Sequence, residues 1–225
     1  MKPYVPHLLS LNAGYVDTAG FVALQGLFTA HVTGNFVTLG AALVQGSSGV
    51  LAKLLALPVF CGVVVLARLA TVPRAAKPGA PVRAMMAAKL VLLTLGAVLA
   101  IRYGPFERGD GAAAVATGMT LVAAMAVQNA LSRMHLATSP PTTLMTGSTT
   151  QLMIDVADLL RGGGDTAAAT AARSRLRRIG SVVATFAAGC VAGAVCYHLV
   201  DTWCFAVPPL LALATTVDAF VSPEP

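Results

Sequence analysis

The residues able to do chemistry in this chain form two groups, each beside a polar break in otherwise apolar sequence. The first is Asp17 with Thr29-Ala30-His31-Val32-Thr33-Gly34-Asn35. The second is Gln128-Asn129 with Pro141-Thr142-Thr143-Leu144-Met145-Thr146-Gly147-Ser148. A carboxyl and an imidazole can take up and release protons, the elementary step of coupling or gating. Hydroxyls and amides can hold a polar solute, and a helix that starts at such a break offers unpaired N–H groups and about half a positive charge to an anion. The expected substrate-binding residues are therefore Thr33, Gly34, Asn35, Thr146, Gly147, Ser148, Gln128 and Asn129, with Asp17 and His31 as the coupling or gating pair.

Each of these residues also has a structural reading. Threonine, asparagine and serine can merely satisfy the backbone at two kinks. Asp17 left unpaired in a membrane would cost about 2.5–3.5 kcal/mol, so it could instead tie the first helix to the break through His31 or Thr33. Gln128 and Asn129 could bridge helices, and Arg133 and His135 could be snorkelling cations rather than an anion gate. Asp155 and Asp158 read as structural, with ion-pair partners in the basic stretch that follows them.

The elements that must position these residues are membrane helices. Of 225 residues 56% are hydrophobic and 11% charged, and the mean hydropathy is +0.77. A soluble domain carries roughly a quarter charged residues. The net charge of +6 sits in short loops with almost no interleaved aromatic residues, which fits cytoplasmic loops and not a nucleic-acid surface. Cys61, Cys190, Cys196 and Cys204 lack metal or redox spacing. No Ser-His-Asp set, HExxH or phosphate-binding glycine loop occurs, so neither an enzyme nor a cofactor or metal is expected.

Apolar runs at residues 8–28, 50–72, 84–103, 112–132, 179–200 and 203–220 are expected to span. Residues 35–45 and 148–160 are too short to cross a ~30 Å core and read as half-helices, with Asn35 and Ser148 as N-caps. Six extended residues, 29–34, would reach roughly 20 Å into the membrane, and Gly34 and Gly147 would supply permissive turns. Asp17 precedes Thr33 by 16 residues and Asn129 precedes Thr146 by 17, so the halves superpose with one gap. Gly189 and Gly193 form a GxxxG close-packing pattern.

Cation counting decides whether the half-helices cross. If they are re-entrant, 12 of the 15 Lys and Arg fall inside, against Lys53, Arg102 and Arg108 outside; if they cross, the best division is 9 to 6. The expected fold is thus an all-α membrane domain of six transmembrane helices plus two re-entrant half-helices. It is built as two inverted-topology three-span repeats, about 8–103 and 112–220, with both termini cytoplasmic. Odd-span repeats must be inverted, which would bring the two half-helix N-termini together at the midplane, as in many secondary transporters.

The runs Gly14-Tyr15-Val16-Asp17-Thr18-Ala19-Gly20-Phe21, Phe28-Thr29-Ala30-His31-Val32-Thr33-Gly34-Asn35, Gln128-Asn129-Ala130 and Thr142-Thr143-Leu144-Met145-Thr146-Gly147 resemble the signature of the YoaK-like family of bacterial six-span membrane proteins. Val32 stands where that family's pattern has methionine. The resemblance implies a bacterial cytoplasmic (inner) membrane location and six spans, and no substrate. From the residues themselves the expectation is a small secondary transporter for a small polar or anionic solute, with proton coupling through Asp17. A channel and a non-transporting scaffold or assembly protein are the alternatives. The expected partners are a small-molecule or ion substrate and the lipid bilayer, with a homodimer as a further option, and no nucleic acid.

Overall fold

The computed structural model describes residue 2 and residues 4–71, 79–137, 139–143, 145–161 and 167–221, all of whose regular elements are helical. Arg74 and Lys77 of the first basic loop, Leu144 of the second break and the three glycines of 162–164 lie outside the described residues. The elements are α1 (Val5–Ala23), a 3-10 turn (Val32–Gly34), α2 (Asn35–Gln45), α3 (Val50–Thr71), α4 (Ala80–Tyr103), α5 (Ala112–His135), α6 (Met145–Leu160), α7 (Ala167–Val200), a second 3-10 stretch (Asp201–Ala206) and α8 (Val207–Val221). Among the described residues, four helical stretches are long and apolar enough to cross a membrane: α3, α4, α5, and α7 through α8.

The apolar face of α3 is left largely exposed, as a lipid-facing helix requires, with Leu54, Val65, Leu66 and Leu69 all open. By contrast α1 is the centre of the molecule. It carries Ser10, Asn12 and Asp17, and every one of them is buried against a neighbour. Ser10 Oγ donates to Val182 O of α7, Asn12 Nδ2 to Pro208 O of α8 and Tyr15 Oη to Cys204 O. These bonds explain why a helix with so many polar groups is stable away from water. The expected first span, 8–28, accordingly ends earlier, at Ala23, because the chain then turns through Gln25 and Gly26, both at positive φ.

The α1–α7 contact is the closest in the fold. Gly14 of α1 lies against Phe186 O and Cys190 N, while Gly189 and Gly193 of α7 lie against the backbone of Leu11 and Tyr15. The GxxxG pattern therefore serves an internal contact. The structure also extends α7 upstream of the expected start at 179, so Arg173, Arg175, Arg177 and Arg178 are helical. Arg175 makes a two-pronged pair with Asp155 of α6, at 2.7 and 3.1 Å, which gives Asp155 the ion-pair partner expected for it and clamps α6 to α7.

Buried apolar side chains form two clusters. One gathers Val16, Leu24, Leu93, Leu121, Met125 and Phe205, the other Val5, Leu9, Met85, Met86, Val127 and Leu131. A span starting at 84 would put Lys89 near its end; because α4 starts at Ala80 it lies well inside, 1% exposed, between these clusters.

The start of α3 is held by a side chain some 60 residues away in sequence. Asp110, in the loop before α5, accepts the N–H groups of Gly49, Val50 and Leu51 at 2.9, 3.2 and 2.8 Å. Partial burial alone would raise its pKa, but these backbone donors outweigh it and hold the carboxyl below the usual aspartate value. The stabilisation is therefore complete above the ordinary value of ~3.9 and lost as pH falls through the lower folded value. Asp110→Asn should cost about 1 kcal/mol at neutral pH, as removal of a helix cap does. The thermal midpoints of variant and wild type in detergent should converge in acid, and a gap undiminished below about pH 3 would contradict the assignment.

Candidate functional site

The first break is built around Asp17. Its Oδ1 accepts the N–H of Thr29 at 2.8 Å, of Ala30 at 2.7 Å and of His31 at 3.4 Å, and the Thr29 hydroxyl at 3.3 Å. Its Oδ2 meets His31 Nδ1 at 2.6 Å. Successive N–H groups form a concave anion-binding nest, here filled by a carboxylate of the same chain. That is why residues 29–34 are curled and end in a 3-10 turn instead of running extended as expected. Only a bent backbone can point three consecutive N–H groups at one oxygen.

His31 is held edge-on to Phe186 of α7, with ring centroids 5.4 Å apart, and to Phe28 at 6.3 Å. With Nδ1 on the carboxylate, Nε2 is the nitrogen left to exchange a proton, on a side chain 31% exposed. Asn35 closes the loop from the other side: its Oδ1 accepts Phe28 N–H at 2.9 Å and its Nδ2 donates to Phe28 O at 2.8 Å. Asn35 is thus not the N-cap. Gly34 occupies that position in ordinary right-handed geometry, φ −62°, so the permissive turn falls instead at Gln25 and Gly26. Thr33 is exposed and Gly34 half-buried.

At the second break Thr143 Oγ1 donates to Asn129 Oδ1 at 2.6 Å, and Asn129 Nδ2 to Met125 O. Gln128 Nε2 donates to Leu9 O of α1 at 2.9 Å and to Thr142 Oγ1 at 3.1 Å, and Thr142 also pairs with Ser132. Helix α6 begins at Met145, so Ser148 is buried inside the helix and does not cap it. Thr146 and Gly147 are exposed, and a Cβ at Gly147 would meet nothing within 4 Å, so no turn requires that glycine.

The two sets of expected binding residues are held in different places. Helix α2 packs on α3, and α6 on α7. One break binds α1 at Asp17 and the other at Leu9, eight residues or about 12 Å apart along the helix. Between α5 and the start of α6 lies a recess of about 160 Å³ lined by Asn129, Ser132, Arg133, Ala137, Ser139, Pro141 and Thr143. That is below the ~300–1,000 Å³ of sites for drug-sized ligands and suits a small polar molecule. Its lining carries two hydroxyls of serine, one of threonine, an amide and a guanidinium.

Of the expected residues, then, Asp17, His31 and Asn35 form one cluster and Gln128 and Asn129 join another, while Thr33, Thr146 and Gly147 face outward. Thr29, Ser132, Thr142 and Thr143 take part although no role was assigned to them. For the threonines the signal was available: each break sets threonine a few residues before its Thr-Gly pair, where a hydroxyl can reach back to the preceding helix. A family model described as "Protein of unknown function (DUF1275)" matches residues 5–217. No curated protein and no solved structure matches the chain.

Proposed function

From the premise that this membrane protein belongs to the DUF1275 family, we propose that it is a small secondary transporter for a small polar or anionic solute. The observation that carries the proposal is the recess at the second break, where Asn129, Ser132, Arg133 and Thr143 line a space of about 160 Å³ with polar groups and one guanidinium. Arginine's planar fork suits a carboxylate or phosphate oxygen pair. The Asp17–His31 pair supplies a proton-exchanging element at the other break. In this proposal the chain has six spans and two re-entrant half-helices in inverted repeats, in a bacterial cytoplasmic membrane with both termini cytoplasmic.

A second reading has an observation in its favour. The donors at the first break are spent on Asp17, and Asn35 is spent on Phe28, as in a scaffold whose polar groups serve packing alone. A channel differs from both in a flux that saturates weakly and ignores a proton gradient. Purified protein in liposomes should take up one of a panel of small carboxylates, phosphate and amino acids. Arg133→Gln with Asn129→Ala should reduce that uptake at least tenfold, or about 1.4 kcal/mol, without loss of folded protein. Equal uptake by protein-free liposomes across the panel would remove the transport reading and leave the scaffold.

A further inference from the structure

Among the described residues, Asn12 Oδ1, Lys89 Nζ and Gln128 Oε1 are buried side-chain atoms without a hydrogen-bond partner. Their residues are 1%, 1% and 0% exposed. Rotating either amide does not remove the vacancy. It would set an amide oxygen against Pro208 O or Leu9 O, where the nitrogens now lie 3.2 and 2.9 Å away, acceptor against acceptor. A lone buried ammonium is far costlier than a buried amide, and no carboxylate among the described residues pairs with Lys89.

Chain position and hydrogen bonds set the three in one layer of the bundle. Lys89 stands between Met86 of one apolar cluster and Leu93 of the other, and Asn12 between Leu9 and Ala13, divided between the same two clusters. Gln128 bonds to α1 at Leu9, one turn from Asn12. Helix α8 fixes the level of α4 independently: Thr216 Oγ1 reaches Met86 O, one turn before Lys89, and Pro208 O receives Asn12. The stretch 208–216 therefore runs past both residues. Thr142, which bonds both Gln128 and Ser132, joins the layer to the recess at the second break.

We propose that this layer is an internal binding site for a small monoanion that also carries a hydrogen-bond donor, such as bicarbonate, dihydrogen phosphate or a hydroxy acid. Lys89 receives its charge, and Asn12 Oδ1 or Gln128 Oε1 accepts its proton, both oxygens being served where the anion carries two donors, as dihydrogen phosphate does. An anion without a donor would satisfy the ammonium and leave both amide oxygens empty, which makes the pair of amides the selective element. The site rests on the transport proposal only for its route through the recess; occupancy does not require net transport.

Thermal unfolding of the detergent-solubilised full chain, titrated with bicarbonate, dihydrogen phosphate and lactate against nitrate and chloride, tests this. The donor-bearing anions should raise the midpoint saturably, and nitrate and chloride should not. Lys89→Met should unfold no lower than wild type without ligand, since it removes an unpaired buried charge, and should weaken binding at least tenfold. Lys89→Arg, which keeps the charge, should restore part of the response. Stabilisation equal for all anions, or undiminished in Lys89→Met, overturns the site, as does a layer that holds only water and answers to none of them. Binding without uptake in liposomes upholds the site and removes the transport reading. Uptake that survives Lys89→Met together with an undiminished anion response does the reverse.

Discussion

Asp17→Ala is expected to lower stability by roughly 3–5 kcal/mol, the range for breaking a buried, hydrogen-bonded charge pair. Asp17 is 4% exposed and, among the described residues, is the sole partner of the N–H groups of Thr29 and Ala30, themselves buried. Each unsatisfied buried donor costs about 1–3 kcal/mol, and the losses overlap because one nest collapses as a unit. His31 would also lose the contact that seats it on Phe186. For a chain of this size the midpoint in detergent should fall by roughly 6–20 °C.

Asp17→Asn separates the charge from the geometry. The amide oxygen can still accept from Thr29 and Ala30, while the ionic contact with His31 is gone, so roughly half the loss is expected, a charge-assisted bond being about twice a neutral one. If the pair couples transport, this variant still binds solute and loses proton-driven uptake. An Asp17→Ala protein melting within about 2 °C of wild type would refute the nest as the organiser of the first break.

Gly189→Leu should prevent α1 and α7 from packing and abolish accumulation of folded protein. A Cβ at Gly189 overlaps the carbonyl oxygen of Leu11, and one at Gly193 would sit 2.6 Å from Tyr15 O. These obstacles are backbone, which cannot rotate aside as a side chain can, so the helices must separate. Separation would also break Ser10 Oγ to Val182 O at 2.9 Å. The milder Gly189→Ala should cost about 1–3 kcal/mol, the usual penalty of overpacking. Gly62→Ala is the control: nothing lies within 4 Å of the added carbon, and helix propensity alone favours it by up to about 1 kcal/mol. Equal midpoints for Gly189→Ala and Gly62→Ala would mean that the close contact is not obligatory.

Much of the helix plan was legible because hydrophobic length and glycine placement are local properties. The bounds of α2, 35–45, follow from the Thr-Gly break before it and Gly46 after it, and Gly46 does adopt the left-handed φ of 66° that ends a helix. Asp17, His31, Gln128 and Asn129 stood out because polar groups in apolar sequence need partners, and each has one. The pairing itself was less legible. His31 was weighed as one of two links from Asp17, whereas Thr29 and the backbone of residues 29–31 supply most of its donors. Backbone N–H groups are the same in every residue type, so a nest leaves no trace in composition.

By itself the sequence determined that this is a membrane protein of apolar helices, and that its polar residues concentrate at two breaks. Tertiary structure alone decided what those breaks face. Ser148 caps no helix because α6 starts at Met145, and Thr33 points outward although its neighbours do not. Lys89 falls near the start of the expected 84–103 span, and only the packing of α4 against α5 and α8 seals it between two apolar clusters. The physical reason is common to all three: burial of a polar atom depends on which helices surround it, and that is fixed by contacts distant in the chain.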